Sequence, residues 1–246
     1  MSIHLVGGGW ADDYDGEVYA DFLAETSVRA SASGRAIPRV AVLLLREDEG
    51  AGTDRAGTDR AGQYREQLLR VALVEPVVTG VVEGELFTSA VLSDIDGLLI
   101  GGGLTPSYLD AVAPIVEEIR MLVADGLPYL GFSAGAAIAA DTAIIGGWKI
   151  GEVPVCAEGA SEDLEDVTVA VGLGLVDLAI DVHAAQWGTL SRLVAATEAG
   201  LVDGGIAIDE FTVLIVGDDS LRVVGTGSVW QVNQHDDGVL VSTLGA

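Results

Sequence analysis

The sequence predicts an α/β fold: a doubly wound, mostly parallel sheet with helices on both faces and a small antiparallel C-terminal extension. Three observations carry this expectation. Runs such as Arg39 to Leu45 and Asp96 to Ile100 are almost continuously apolar, as strands covered on both faces must be. Segments of helical periodicity alternate with such runs, which builds parallel βαβ units. Glycine runs stand directly after strands, at Gly7–Gly9 and Gly101–Gly103. They fall at the carboxyl end of the sheet, where open α/β folds place ligands. With 246 residues, half of them hydrophobic, a single domain over residues 1–246 is expected.

In chain order, Ile3–Val6 reads as the first strand. Val18 to Arg29 has a helical apolar stripe through Val18, Phe22, Leu23 and Val28. After the strand Arg39–Leu45, residues Glu47 to Gly62 contain the tandem repeat AGTDR-AGTDR-AG, which is poor in apolar residues and reads as a surface loop. Gln63–Val71 reads as a helix, Val74–Val78 as a strand and Leu86–Leu92 as another helix. After the strand ending at Ile100, Tyr108 to Asp125 reads as one long amphipathic helix closed by Gly126. Tyr129 and Leu130 begin a short strand. Ala136–Ala140 continues from it as a small-residue helix. Ile144 to Glu162 is glycine-rich and irregular. Val167–Leu175 alternates like a strand, and Ile180–Asp181–Val182 leads into His183. Leu190–Leu201 reads as a helix and Gly205–Glu210 as a strand ending in two acids. Thr212–Val216, Leu221–Val224 and Val239–Leu244 read as closing antiparallel strands.

Twelve basic against 38 acidic residues give a formal net charge of −26. Such a surface repels phosphate backbones and anionic lipid, so neither nucleic acid nor membrane is an expected partner. The single cysteine, Cys156, forms no internal disulfide and fits a reducing compartment. No signal-peptide pattern opens the sequence and no apolar run has spanning length, so a cytoplasmic location is expected.

The strongest chemical signal is Gly131–Phe132–Ser133–Ala134–Gly135, between a short apolar run and a small-residue helix. This is the G-x-S-x-G nucleophile elbow in the strand–turn–helix context it requires. The following helix presents unpaired N–H groups at the serine, where they would favour a developing oxyanion. A serine hydroxyl needs a general base, and the base needs an orienting acid. The chain has three histidines. His4 lies inside the first strand, His235 sits in the polar turn Gln234–Gly238, and His183 follows an apolar strand. Asp181, Asp209 and Glu210 are the candidate acids; Asp209 and Glu210 point to opposite sides of a strand, so only one of those two could reach the histidine.

Four blocks together resemble the S51 serine peptidases, which include aspartyl dipeptidase (peptidase E) and cyanophycinase. They are Gly101–Gly103 with Thr105, Gly131–Ala136, Asp181–Val182–His183 with Arg192–Leu193, and Gly205–Glu210. The resemblance implies a class I glutamine-amidotransferase-like, flavodoxin-like fold. It implies Ser133 as nucleophile, His183 as base and Glu210 as orienting acid. The oxyanion hole would be the Ala134 N–H with one from Gly102 or Gly103. Two departures stand out: Leu104 replaces the usual asparagine, and Trp187 and Thr189 stand where arginines are common, leaving Arg192. Thr105, Lys149, Trp187 and Arg192, with Trp148 beside them, are the substrate-pocket candidates.

The function expected is hydrolysis of a small peptide or amide by an acyl-enzyme mechanism. No metal or other cofactor is expected, because no His/Cys cluster has ligand spacing. A homodimer is left open. Two alternatives remain: a catalytically silent binding or regulatory protein, and an α/β-hydrolase-type esterase built from Ser133, Asp209 or Glu210, and His235.

Overall fold

The computed structural model describes residues 2–11, 14–46, 59–217 and 221–245. Its elements in chain order begin with β1 (Ser2–Val6), α1 (Glu17–Ala32), β2 (Arg39–Arg46), α2 (Arg60–Val71) and β3 (Glu75–Val82). There follow β4 (Gly97–Ile100), α3 (Thr105–Val112), α4 (Val116–Ala124), β5 (Tyr129–Phe132), α5 (Ala134–Ala137) and β6 (Thr142–Gly146). The remainder is β7 (Lys149–Ile150), β8 (Val153–Pro154), β9 (Thr168–Val171), β10 (Ala179–Val182), α6 (Leu190–Glu198), β11 (Gly204–Ile208), β12 (Thr212–Gly217), β13 (Leu221–Gly225), β14 (Val229–His235) and β15 (Gly238–Leu244).

The central sheet has seven strands in the order β13-β12-β1-β5-β4-β2-β3. The five strands from β1 to β3 are parallel, and β12 and β13 add antiparallel to the other side of β1. Alternation along the strands feeds two cores. Val40, Val42 and Leu44 pack with Phe22 and Leu23 of α1 and Leu68 of α2. Ala41 and Leu43 join Tyr108 of α3 and Ile119 of α4 on the opposite face. The sheet therefore has helices on both faces, as expected from its doubly apolar strands.

A second sheet, β10-β11-β14-β15, is not part of the sequence expectation. Ile180, Val182, Ile206 and Ile208 turn one face of it into the core beneath α3 and α4. Ala179, Ala207 and Val232 turn the other toward Leu193 and Ala196 of α6. The antiparallel C-terminal strands are thus divided: β12 and β13 extend the central sheet, whereas β14 and β15 complete the second.

Several element boundaries differ from expectation for identifiable reasons. The expected long helix Tyr108–Asp125 is α3 and α4 separated by a 3-10 turn at Ala113–Ile115. Pro114 lies in that turn; it has no N–H to donate and its ring collides with the preceding turn of an α-helix. The helix expected at Leu86–Leu92 is reduced to a 3-10 turn at Ser89–Leu92, because buried Phe87 donates its N–H to Ala111 O across the structure. The small-residue helix stops at Ala137, since the carbonyls of Ile138, Ala139 and Ala140 accept from Leu173, Leu175 and Gly174. β14 is not among the expected strands, and its last two residues fall in the expected polar turn Gln234–Gly238, because Gln231, Asn233 and Gln234 interrupt its apolar pattern. The AGTDR repeat lies mostly outside the described residues. Its last arginine, however, begins α2, three residues earlier than expected, with Asp59 Oδ1 capping the helix by accepting from Gly62 N–H at 2.9 Å. Among the described residues no helix is long and apolar enough to cross a membrane.

Candidate active site

Five chain segments converge where strands of the two sheets end. β1 runs out into Gly7–Gly9, β4 into Gly101–Gly103, β5 into Ser133, β10 into His183, and β11 into Asp209 and Glu210. This is the carboxyl edge at which open α/β sheets bind ligands.

Ser133 sits at φ 52°, ψ −109°, between β5 and α5. A non-glycine residue held there carries strain of about 1–3 kcal/mol. Its flanking glycines are required by contact. A Cβ on Gly131 would lie 2.3 Å from Gly135 O, and one on Gly135 2.2 Å from Ile100 O. The strain is concentrated here: of six described non-glycine residues at positive φ, Ser133, Glu162, Asp163 and His183 line one cavity, and Phe211 follows another lining residue, Glu210.

Ser133 Oγ lies 2.8 Å from His183 Nε2, and His183 Nδ1 lies 2.7 Å from Glu210 Oε1. An ionised carboxylate can only accept, so Nδ1 carries the proton toward Glu210. The neutral imidazole then offers Nε2 as the acceptor for the serine hydroxyl. Serine and histidine are almost fully buried. The imidazole is clamped from two sides. Trp187 stacks on it at 3.8 Å between centroids and 6° between planes. Gly8, at φ 100°, approaches so closely that a Cβ there would be 2.2 Å from His183 Cε1. Gly8 therefore admits the imidazole, whereas Gly7 and Gly9 are fitted against Asp209 O and the Glu210 and Phe211 side chains.

Asp209 is occupied elsewhere, which separates the two neighbouring acids. Its carboxylate accepts from the N–H groups of Ala185 and Ser228 at 3.0 and 2.9 Å, and from Trp230 Nε1 at 3.1 Å. Asp181 is likewise committed, forming two bonds with Arg192 at 2.7 and 2.8 Å. Neither His4 nor His235 lines the cavity: His4 is wholly buried in β1, and His235 is at the exposed β14–β15 hairpin. The constellation with His235 is not brought together.

Where the resemblance implies an oxyanion hole, the Ala134 N–H opens α5 and has no preceding helical carbonyl to bond. The Gly102 N–H is already donated to Tyr64 Oη at 3.0 Å, which leaves Gly103 as the other donor on that turn. Gly102 itself is fitted to the serine, since a Cβ there would meet Ser133 Cβ at 2.9 Å.

The cavity encloses about 750 Å³. Of the expected substrate-binding residues only Trp187 lines it. Thr105 is buried and gives its N–H to Glu162 Oε2 at 3.0 Å. Lys149 stands outside, paired with Glu165 Oε2 at 2.7 Å and above the ring of Trp148. Arg192 is buried: besides Asp181 it donates to Gly147 O and Ala160 O, pinning the segment that leads to Glu162. Its spacing after the histidine gave no sign of this, because Arg192 is on α6 and folds back onto a carboxylate of β10. The unforeseen wall residues are Trp10, Arg60, Glu158, Glu162 and Asp163. Burial pushes the Glu162 carboxyl up to about 7, against the opposing effects of the Thr105 N–H and Arg192. Cys156 is a half-buried free thiol, raised by burial, and does not line the cavity.

Together the sheet and the serine elbow define an α/β fold of the peptidase type. Residues 77–224 match peptidase family S51, and the chain belongs to that family. It is 34% identical over 152 residues to a cyanophycinase of Synechococcus elongatus, covering 59% of this chain and 44% of that protein. A cyanophycinase of Geminocystis herdmanii is 33% identical over 122 residues, 48% of this chain and 42% of its own length. The matches thus span less than half of these relatives. Among solved structures, a peptidase from an acI-B1 actinobacterium superposes with a TM-score of 0.62 at 18% identity, over 100% of this chain and 95% of the other. A putative peptidase E protein from Listeria monocytogenes EGD-e gives 0.52 at 13% identity, over 92% and 98%. At these identities the likeness is one of fold.

Proposed function

We propose that this chain is a serine peptidase that cleaves a small peptide or amide bond, on a class I glutamine-amidotransferase-like scaffold. The observation that carries the proposal is the continuous hydrogen-bonded series Ser133–His183–Glu210, at 2.8 and 2.7 Å. Membership of family S51 and the similarity to cyanophycinases support the same reaction class.

In this mechanism Ser133 Oγ attacks the substrate carbonyl as His183 Nε2 takes its proton. The tetrahedral oxyanion is held by the N–H groups of Ala134 and Gly103. His183 then gives the proton to the leaving amine, the C–N bond breaks, and an acyl-serine remains. Water, deprotonated by the same histidine, hydrolyses it and restores the hydroxyl. Glu210 fixes the tautomer and stabilises the imidazolium formed in each half. The strained serine backbone and the packed imidazole place the reacting atoms before substrate arrives, so little reorganisation is needed in the transition state.

The test is hydrolysis of a peptide panel by wild type and Ser133→Ala, with phenylmethanesulfonyl fluoride labelling read by mass spectrometry. The panel contains α- and β-aspartyl dipeptides, β-Asp-Arg polymer, and neutral and basic dipeptides. Turnover and labelling are expected in wild type, and a loss of about 10³-fold or more in the variant. Turnover that survives Ser133→Ala refutes the serine mechanism. Absence of both turnover and labelling in wild type would make the chain a silent binding protein.

A further inference from the structure

Four charged side chains in the cavity wall, Arg60, Glu158, Glu162 and Asp163, have no part in the hydrolytic chemistry. Among the described residues, Arg60 is the one lysine or arginine that lines the cavity. Its guanidinium carbon lies 5.1 Å from the centroid of the Trp10 ring, and Nη1 donates to Gln63 Oε1 at 3.1 Å. Trp10 in turn packs edge-on against Tyr64 at 4.8 Å and tilted against Phe132 at 5.0 Å, the residue before the serine. An aromatic face beneath a guanidinium orients its plane. The planar fork is suited to binding a carboxylate through two parallel N–H bonds.

Glu162 belongs to the other end of the same turn. Tyr64, beneath Trp10, accepts the Gly102 N–H; Glu162 accepts the Thr105 N–H. Gly102 is the glycine fitted against Ser133. The turn that passes the serine is therefore anchored at one end beside a cation and at the other by a carboxyl. Only the Thr105 N–H donates to Glu162 among the described residues, which leaves Oε1 for a ligand. The charged groups around Glu162 are Asp163, Asp181 and Arg192, with Glu158 also in the wall, and Arg192 is already paired to Asp181.

We propose that Arg60 and Glu162 are specificity-determining residues that select short zwitterionic peptides, Arg60 holding a substrate carboxylate and Glu162 a cationic amine or guanidinium. The inference rests on the peptidase reading given above, and it draws on an arginine at the end of the AGTDR repeat. A substrate bound by both ends would lie across Ser133, with its scissile carbonyl between the two anchors. Loss of either charge should weaken binding without touching the serine, histidine or glutamate.

The experiment measures equilibrium binding to Ser133→Ala, so that it does not depend on turnover. The probes are α-Asp-Arg, β-Asp-Arg and Ala-Arg, each also with its carboxylates amidated and, separately, with citrulline replacing arginine. Either change is expected to weaken binding about 10- to 100-fold, the range for a charge-assisted pair. In an added Arg60→Gln background the acid and amide forms should bind within about twofold of each other. In a Glu162→Gln background the arginine and citrulline forms should do the same. Affinity for the arginyl forms should fall as pH drops from 8 to 6, because Glu162 loses its charge near 7, and Glu162→Gln should flatten that profile. Thermal melts identify a variant that has unfolded. Arg60→Lys, which keeps the charge but loses the fork, then replaces Arg60→Gln with an intermediate effect expected. Unchanged selectivity in the variants, or no binding of any probe, overturns the proposal. Labelling of wild-type Ser133 by phenylmethanesulfonyl fluoride reports separately on the serine mechanism. Labelling without charge selectivity sinks the clamp alone, and selectivity with neither labelling nor turnover in wild type sinks the serine mechanism alone.

Discussion

Gly8→Ala is the sharpest test of how the first strand serves the site, because Gly8 makes no bond in the proposed chemistry. Its effect follows from two numbers. The new Cβ would sit 2.2 Å from His183 Cε1 and 2.8 Å from both ring nitrogens. Ordinary carbon contacts need about 3.5 Å, so the imidazole or the loop must retreat by about 1 Å. The imidazole cannot swing freely, since Trp187 stacks on its ring. A displacement of that size in a catalytic group costs about 10²-fold in rate. Separately, alanine at φ 100° carries backbone strain of about 1–3 kcal/mol. For a chain of this size that is about 2–4 °C in Tm for each kcal/mol. Gly34→Ala is the control: Gly34 also has positive φ, 79°, but a Cβ there meets nothing within 4 Å. Both variants should lose some stability, and only Gly8→Ala should lose reactivity. The assay is kcat/KM on the best panel substrate, together with the rate of sulfonyl fluoride labelling of Ser133, at a temperature where circular dichroism shows both variants folded. A folded Gly8→Ala protein whose rates stay within twofold of wild type would refute the argument that this glycine positions the base.

Three further outcomes are expected. Glu162 has its carboxyl raised to about 7 from an ordinary 4.5, so the folded state binds its proton more tightly than the unfolded chain. The resulting stability is present below about pH 4.5 and lost as pH rises through 7. Denaturant melts should therefore show Glu162→Gln gaining on wild type between pH 5 and pH 8.5, by at most about 3 kcal/mol; a gap that narrows with pH would contradict this. Removing Arg192 alone, as Arg192→Leu, leaves the buried Asp181 carboxylate uncompensated and should cost about 3–5 kcal/mol in the same melts, whereas the double variant with Asp181→Leu should recover part of the loss. At a net charge of −26 the folded chain repels itself, so Tm should rise with NaCl and level off near 1 M, where the screening length is about 3 Å. An equal response to KCl is expected, and a flat Tm would show that the acids are already compensated locally.

What the sequence determined by itself is whatever is encoded locally. Arg39–Leu45 had to be a two-faced strand because no polar residue interrupts it. The elbow was legible because only glycine tolerates the contacts on either side of Ser133, so the pentapeptide is itself a steric record. The central sheet and its helices followed from alternating periodicity. The resemblance singled out Ser133, His183 and Glu210, and the folded chain brings those three within hydrogen-bond distance. Tertiary structure decided what depends on contacts between distant segments. It committed Asp209 to Ala185, Ser228 and Trp230, and so left Glu210 to the histidine. It buried Arg192 against Asp181 and left Lys149 outside the cavity, because a charged side chain's role is set by the partner it meets and not by its own spacing. It drew β14, whose polar residues hide its period, into a second sheet. It also set Arg60, from a repeat with no apolar pattern to reveal it, into the cavity beside the serine. Periodicity records which face of an element is buried; it holds no information about which distant charge will face it.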